Sequence, residues 1–165
     1  MQILVINTTA RNACVTGDLA TAARLLTQDI DADSNEYHSY ANRSFVMART
    51  ANWDHALDDA QKSIRIQPSL MGCISKGIAH CGKRHFNDAM KAFDLAFMFV
   101  DADINKTRLL LLIKAIALFN ADQHDEAILR VQGLATTCPH TDSLICGIVE
   151  VSAPHSVNTR FTRRY

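Results

Sequence analysis

Apolar residues follow helical spacing through most of the chain. The clearest example is the segment from 53 to 66, in which five residues form one apolar stripe on a helix. They are Trp53, Ala56, Leu57, Ala60 and Ile64. Residues 37–49 predict another helix before it, with a turn at Ala51–Asn52. Pro68 has no N–H and would clash with the preceding turn, so it ends this pair of helices.

A repeated pair of small residues divides the chain into units of similar length. Four times, a small residue is followed twelve positions later by alanine. The pairs are Ala10/Ala22, Ser44/Ala56, Gly77/Ala89 and Ala115/Ala127. The four alanines are separated by 34, 33 and 38 residues, and Pro68 and Pro139 follow two of them after twelve more. A period of about 34 residues indicates a tandem array of helix–turn–helix repeats.

The small residues have a physical role in such an array. Two antiparallel helices joined by a short turn approach closely only where the facing side chains are small. A bulky residue at Ser44 or Ala56 would force the helices apart, at a cost of about 1–3 kcal/mol. We therefore expect larger neighbours, Tyr40 and Trp53, to fill the space around the crossing.

The repeats predict one all-α domain over residues 1–152. Its units are expected at residues 3–34, 36–69, 70–102 and 105–140, followed by a capping helix at 141–151. An extra loop before the fourth unit accounts for the spacing of 38 residues. The first helix of the first unit is weak, because Val5, Ile6, Thr8 and Thr9 are β-branched. Residues 153–165 are expected to form a disordered tail.

These residues resemble the tetratricopeptide repeat family. The second unit matches the family pattern with Tyr40, Ser44, Trp53, Ala56 and Pro68. The third matches with Gly77, Phe86, Ala89 and Phe93 but has Asp101 where proline is expected, and the fourth matches with Leu111, Ala115, Ala127 and Pro139. The resemblance, over about residues 5–140, implies a right-handed α-solenoid of about four antiparallel helix pairs. It also implies a concave groove lined by the first helix of each pair, as in the protein-interaction modules of scaffolds and co-chaperones.

One subgroup of that family holds a terminal carboxylate of a chaperone with lysine, asparagine and arginine side chains. Asn42 matches the asparagine of this clamp. Asn7, Arg11, Met71 and Ser75 stand where the other clamp residues are expected and do not match them. A dianionic peptide end needs those cations. Chaperone-tail binding is therefore the less favoured function.

The family geometry assigns the groove-facing positions of the first helices. They are His38, Ala41, Asn42, Phe45, Arg49, Met71, Ile74, Ile78, Cys81, Leu109, Leu112, Ile116 and Phe119. Most are apolar, and the helix from 109 to 119 is apolar on nearly every side, which predicts that it is covered. We therefore expect the groove to bind an apolar helix.

That helix can come from a partner protein, from a second copy or from the chain's own C-terminal segment, unless these residues belong to an ordinary core helix. An oligomerising or structural module with an occluded groove is the alternative function.

Charge and composition exclude several classes of partner. The chain has 17 basic and 17 acidic residues, and a balanced charge argues against nucleic acid and anionic membranes. The apolar runs, such as Leu95–Val100 and Leu109–Ile113, are far too short to span a bilayer. Residues 3–6 lack the basic flank of a signal peptide. Five irregularly spaced cysteines indicate no disulfide framework, so we expect an intracellular, cytoplasmic protein.

No catalytic constellation stands out, and we expect neither enzyme activity nor a cofactor. Cys73 and Cys81, with His80 and His85 nearby, are the nearest approach to a metal site. Zinc sites usually have cysteines two to four residues apart, whereas these are eight apart, so we expect core cysteines and no metal. Acidic residues such as Asp59 are expected at helix starts or on exposed faces.

Overall fold

The computed structural model describes residues 8–125, 127–129 and 131, and its regular structure in these ranges is entirely helical. The helices are α1 (Thr8–Thr16), α2 (Leu19–Ala32), α3 (Tyr37–Arg49), α4 (Trp53–Ile66), α5 (Leu70–Gly82), α6 (Phe86–Phe97) and α7 (Ile104–Asn120). Residues 124–125, 127–129 and 131 are helical as well. The predicted all-α class is therefore confirmed for this part of the chain. The capping helix at 141–151 and the tail at 153–165 lie outside the described residues.

Short polar side chains set where several helices begin. Asp18 precedes α2, and its carboxylate accepts a hydrogen bond from the N–H of Thr21. The Ser69 hydroxyl accepts from the N–H of Gly72 at the start of α5. The Asp103 carboxylate accepts from the second and third residues of α7. Such caps satisfy backbone donors that have no partner inside the helix.

The same left-handed turn follows the first helix of each pair. Gly17, Ala51, Arg84 and Asp122 have positive φ values of 83°, 57°, 61° and 61°. In three of these turns the next N–H donates to a carbonyl five residues back: Asn52 to Met47, His85 to His80 and Gln123 to Leu118. The spacings of 34, 33 and 38 residues between the four turns equal those between the repeated alanines. The repeat seen in the sequence is thus also a repeat of backbone geometry.

Each helix packs against the next along the chain, and α3 with α5 and α5 with α7 pack together as well. Helix α3 packs against α2, α4 and α5, and α5 packs against α3, α4, α6 and α7. The small residues of all four repeated pairs are buried. The Ser44 hydroxyl donates a hydrogen bond of 2.6 Å to the carbonyl of Ala56, so this small residue also joins α3 to α4. At Gly77 a Cβ atom would lie 2.6 Å from the Phe93 ring, so α5 and α6 meet at a distance that only glycine allows.

One buried ion pair connects three helices. Arg43 on α3 donates two hydrogen bonds, of 2.7 and 2.8 Å, to the Asp59 carboxylate on α4. It donates a third, of 3.0 Å, to the hydroxyl of Thr27 on α2. The expectation that Asp59 is exposed was wrong, because this side chain turns inward to meet Arg43. The hydrogen bonds that Arg43 donates to Asp59 raise the pKa of Arg43 above its ordinary value, although burial opposes the charge.

The left-handed turn generates a prediction about stability. Left-handed backbone costs a non-glycine residue roughly 1–2 kcal/mol. We expect Ala51→Gly to stabilise the fold by about 0.5–1 kcal/mol, because glycine removes that cost but adds chain entropy to the unfolded state. Chemical denaturation monitored by circular dichroism measures the change. Arg24→Gly, at an exposed position in the interior of α2, is the control and should destabilise by about 0.5–1 kcal/mol. A loss of stability in both variants would contradict the prediction.

The ion pair generates a second prediction. Arg43→Met should destabilise the protein by about 3–5 kcal/mol, because it leaves the buried Asp59 carboxylate without its partner. The double variant Arg43→Met/Asp59→Leu removes both charges and should recover most of that loss. Urea denaturation of the two variants and the wild type gives the three free energies. A double variant as unstable as Arg43→Met alone would show that the cost lies in packing instead of charge.

Candidate functional site

A cleft of about 590 Å³ opens between the C-terminal ends of α3, α5 and α7. Its apolar walls come from each of these helices and from the first residue of α4. The main contributors are Phe45, Trp53, Ile78, Ile113 and Ile116. The left-handed residues Ala51, Arg84 and Asp122 of the three turns also line it. The cleft is therefore built at equivalent places in three successive repeats.

Trp53 forms part of the wall because Gly82 lies beneath it. A Cβ atom at Gly82 would stand 2.3 Å from the indole ring, so any larger residue would displace Trp53. The spacing of apolar residues predicts Trp53 on the apolar stripe of α4 and does not indicate that it lines the groove. Gly82 was the sequence feature that could have indicated this contact, because glycine allows a close approach. The two residues meet only because α4 packs against α5.

Charged groups surround the opening. Arg49 is exposed and donates a hydrogen bond of 2.9 Å to the carbonyl of Cys14 on α1. Arg84 lies 3.4 Å from Asp122, and both side chains are mostly exposed. Exposed pairs of this kind contribute little to stability. The rim is therefore polar and solvated around an apolar interior, as in protein-binding surfaces.

Five of the predicted groove residues line the cleft: Phe45, Arg49, Ile78, Cys81 and Ile116. His38, Met71 and Leu109 do not, because they lie towards the N-terminal ends of their helices, away from the opening. Leu112 and Phe119 are half-buried and also lie outside the lining.

Four predicted groove residues are buried in the fold. Ala41, Asn42, Ile74 and Cys81 are 1%, 3%, 2% and 2% exposed. They offer almost no surface to a partner, although Cys81 borders the cleft. Ser75 is buried as well and donates a hydrogen bond of 3.0 Å to the carbonyl of Ala41. In this arrangement Asn42 and Ser75 therefore offer almost no surface to a terminal carboxylate.

The thiol in the cleft is poorly suited to nucleophilic chemistry. Burial raises the pKa of Cys81 to about 12, so the side chain stays a neutral thiol at physiological pH. Burial also raises the pKa of Cys73. The two cysteines contribute to the same apolar core, as the sequence analysis expected. Within the described residues, the chemistry that the cleft offers is apolar contact with a charged rim.

Metal-ligating side chains do come together elsewhere. Ligand atoms of His80, His85 and Asp88 lie within 4.8 Å of one another at the turn between α5 and α6. In the sequence both histidines stand out only in combination with Cys73 and Cys81, and Asp88 is not among those candidates. Histidine and carboxylate together are a common ligand set for transition metals.

Comparison with known proteins finds a partial similarity to a curated protein. The chain is 32% identical over 102 residues to the Protein SGT1 homolog of Oryza sativa subsp. japonica. The aligned part covers 61% of this chain and 28% of that protein, so the chain spans well under half of its length. No protein-family model matches the chain. No solved structure matches it significantly. Among the described residues, no helix has the length and hydropathy that crossing a bilayer requires.

Burial distinguishes Ile74, which lies in the core, from Ile116, which lies at the surface of the cleft. Ile116→Glu should change stability by less than about 1 kcal/mol, because this half-buried side chain already meets solvent at the cleft. Ile74→Glu should cost at least about 3 kcal/mol, because it places a carboxylate in the core. Thermal and urea denaturation of the two variants test the difference. Equal losses would mean that Ile116 is a core residue and that the cleft is not a surface.

Proposed function

We propose that this chain is a protein-interaction module that binds an apolar helical segment of a partner protein in the cleft. The observation that carries the proposal is the cleft itself, in which apolar side chains of α3, α5 and α7 remain partly exposed behind a charged rim. Soluble proteins rarely expose connected apolar surface without a use for it. In this proposal the chain works by binding and catalyses no reaction.

The architecture supports a repeat-based binding surface. The left-handed turns recur in register, and each pair packs against the next through α3 with α5 and through α5 with α7. Stacking of this kind supports a right-handed α-solenoid of the tetratricopeptide type, with the first helices on its concave side. The cleft lies on those helices. The similarity to the Protein SGT1 homolog covers a minor part of that protein, so any role shared with it belongs to this proposal.

The dimensions and chemistry of the cleft favour a helix as occupant. A volume of about 590 Å³ accommodates a few large side chains, as is typical of binding pockets of roughly 300–1,000 Å³. An amphipathic helix presents such anchors at positions i, i+3 or i+4, and i+7. Arg49 and Arg84 outnumber Asp122 among the charges at the opening. An acidic residue beside the apolar anchors would therefore add favourable electrostatics.

The alternative is a structural or oligomerising module in which the cleft is occupied permanently. Its occupant would be a second copy of the chain or residues 132–165 of the same chain. This alternative shares the apolar cleft with the first proposal and differs in the identity of the covering segment.

Site-specific photo-crosslinking distinguishes these occupants. Ile116 is replaced by p-benzoyl-L-phenylalanine in the full chain, expressed in the cells that make it, and the crosslinked peptides are sequenced. We expect an apolar segment of another protein that is captured at position 116 and released by the additional substitution Ile78→Glu. The matched control places the same group at Leu95, which is 43% exposed on α6 and distant from the cleft, and should not capture that protein.

Other crosslinking results in the same experiment would contradict the proposed binding of a partner protein. Crosslinks from position 116 to residues 132–165 of the same chain, or to a second copy, would overturn the adaptor function and favour the structural module. Light scattering of the purified protein then separates the last two cases, because a second copy doubles the mass. Equal capture from positions 116 and 95 would show that the cleft has no selectivity.

A further inference from the structure

Three metal-ligating side chains meet at the turn between α5 and α6, outside the walls of the cleft. His80 lies in the last turn of α5, His85 caps the start of α6, and Asp88 lies in the first turn of α6. One ligand atom from each lies within 4.8 Å of the others. The two imidazole rings have centroids 6.0 Å apart.

The backbone fixes this arrangement. The left-handed residue Arg84 reverses the chain, and the N–H of His85 donates a hydrogen bond of 2.9 Å to the carbonyl of His80. The N–H of Asp88 donates a hydrogen bond of 3.1 Å to the carbonyl of His85. The first of these bonds belongs to the repeated turn, so the backbone brings the three residues together without needing an ion.

His80 has an unmet interaction that points to a ligand. The residue is 8% exposed, and its Nδ1 atom is buried with no hydrogen-bond partner among the described residues. Buried polar atoms in native proteins nearly always have a partner, and an isolated exception calls for an explanation such as an ion. Coordination of a metal ion by Nδ1 would supply the missing interaction.

The other two members of the cluster are accessible. His85 and Asp88 are exposed, so an ion can reach them from solvent and their side chains can adjust. Asp88 is 3.3 Å from Lys91, but both side chains are largely exposed and this pair is easily exchanged. Of the two basic residues just before His85, Lys83 is paired with Asp54 and Arg84 lies 3.4 Å from Asp122.

We propose that His80, His85 and Asp88 bind a divalent transition-metal ion, with Zn²⁺ as the ion that fits best. Two imidazole nitrogens and one carboxylate oxygen are ligands of Zn²⁺, and a water molecule completes a tetrahedral set. Ligand atoms around zinc are about 3.4 Å apart, so the exposed His85 and Asp88 side chains must move inward by modest rotations. The ion joins the end of α5 to the start of α6 and holds the turn that carries Arg84.

The test titrates Zn²⁺ into the full-length protein after chelator treatment, with calorimetry for the stoichiometry and thermal denaturation for the stabilisation. We expect one ion per chain and a rise in Tm with Zn²⁺ concentration, because the ion binds only the folded state. His85→Ala and Asp88→Asn change exposed side chains, so they should fold normally and should each bind Zn²⁺ at least about tenfold more weakly. His55→Ala is the matched control, since His55 is exposed near the start of α4 one repeat earlier, and it should bind like the wild type.

Substitution with Co²⁺ provides an independent readout. A site of two histidines and one carboxylate gives visible d–d absorption without a thiolate charge-transfer band, whereas binding at a cysteine gives that band. The proposal is overturned if the wild type fails to bind Zn²⁺ at about 100 µM. It is also overturned if His85→Ala and Asp88→Asn bind as tightly as the wild type, or if the cobalt spectrum shows thiolate ligation.

Discussion

The left-handed residue that ends each first helix is the constraint on which the rest of this structure depends. At Gly17, Ala51, Arg84 and Asp122 the chain reverses within a few residues. The second helix then packs back along the first, and the small residues of each repeated pair become buried between the two. Three of the four positions carry side chains that disfavour this conformation. Their local cost is therefore offset by the packing of whole helices.

Polar contacts in the interior add direction to that packing. The Ser44 hydroxyl bonds to Ala56 within a pair, and the Ser75 hydroxyl bonds to Ala41 between pairs. The ion pair of Arg43 with Asp59 connects α3 to α4, and its bond to Thr27 reaches α2. Apolar packing alone is non-directional. These bonds are satisfied in one arrangement of the helices, so they help to select the register in which the pairs stack.

The stacked turns produce both proposed sites. The cleft takes its lining from the ends of α3, α5 and α7 because those ends lie side by side when the pairs stack. The cluster of His80, His85 and Asp88 lies at one of the same turns, with Arg84 between its two histidines in the chain. Binding in the cleft and binding of an ion are thus supported by a common backbone feature, although they use different side chains.

The sequence by itself determined the helices and the repeat of their turns, because these depend on local spacing. Apolar positions recur at helical intervals, small residues lie twelve apart, and proline follows a helix. The all-α class and the burial of Ser44, Ala56, Gly77 and Ala89 were predictable for that reason. The surface was decided by tertiary structure. Contacts between residues far apart in the chain bury Ile74 and leave Ile116 at the edge of the cleft. Such contacts also turn Asp59 inward to Arg43. The geometry of the tetratricopeptide family predicts groove positions along whole helices. Only the packing of the helices determines that the C-terminal ends of α3, α5 and α7 line the cleft.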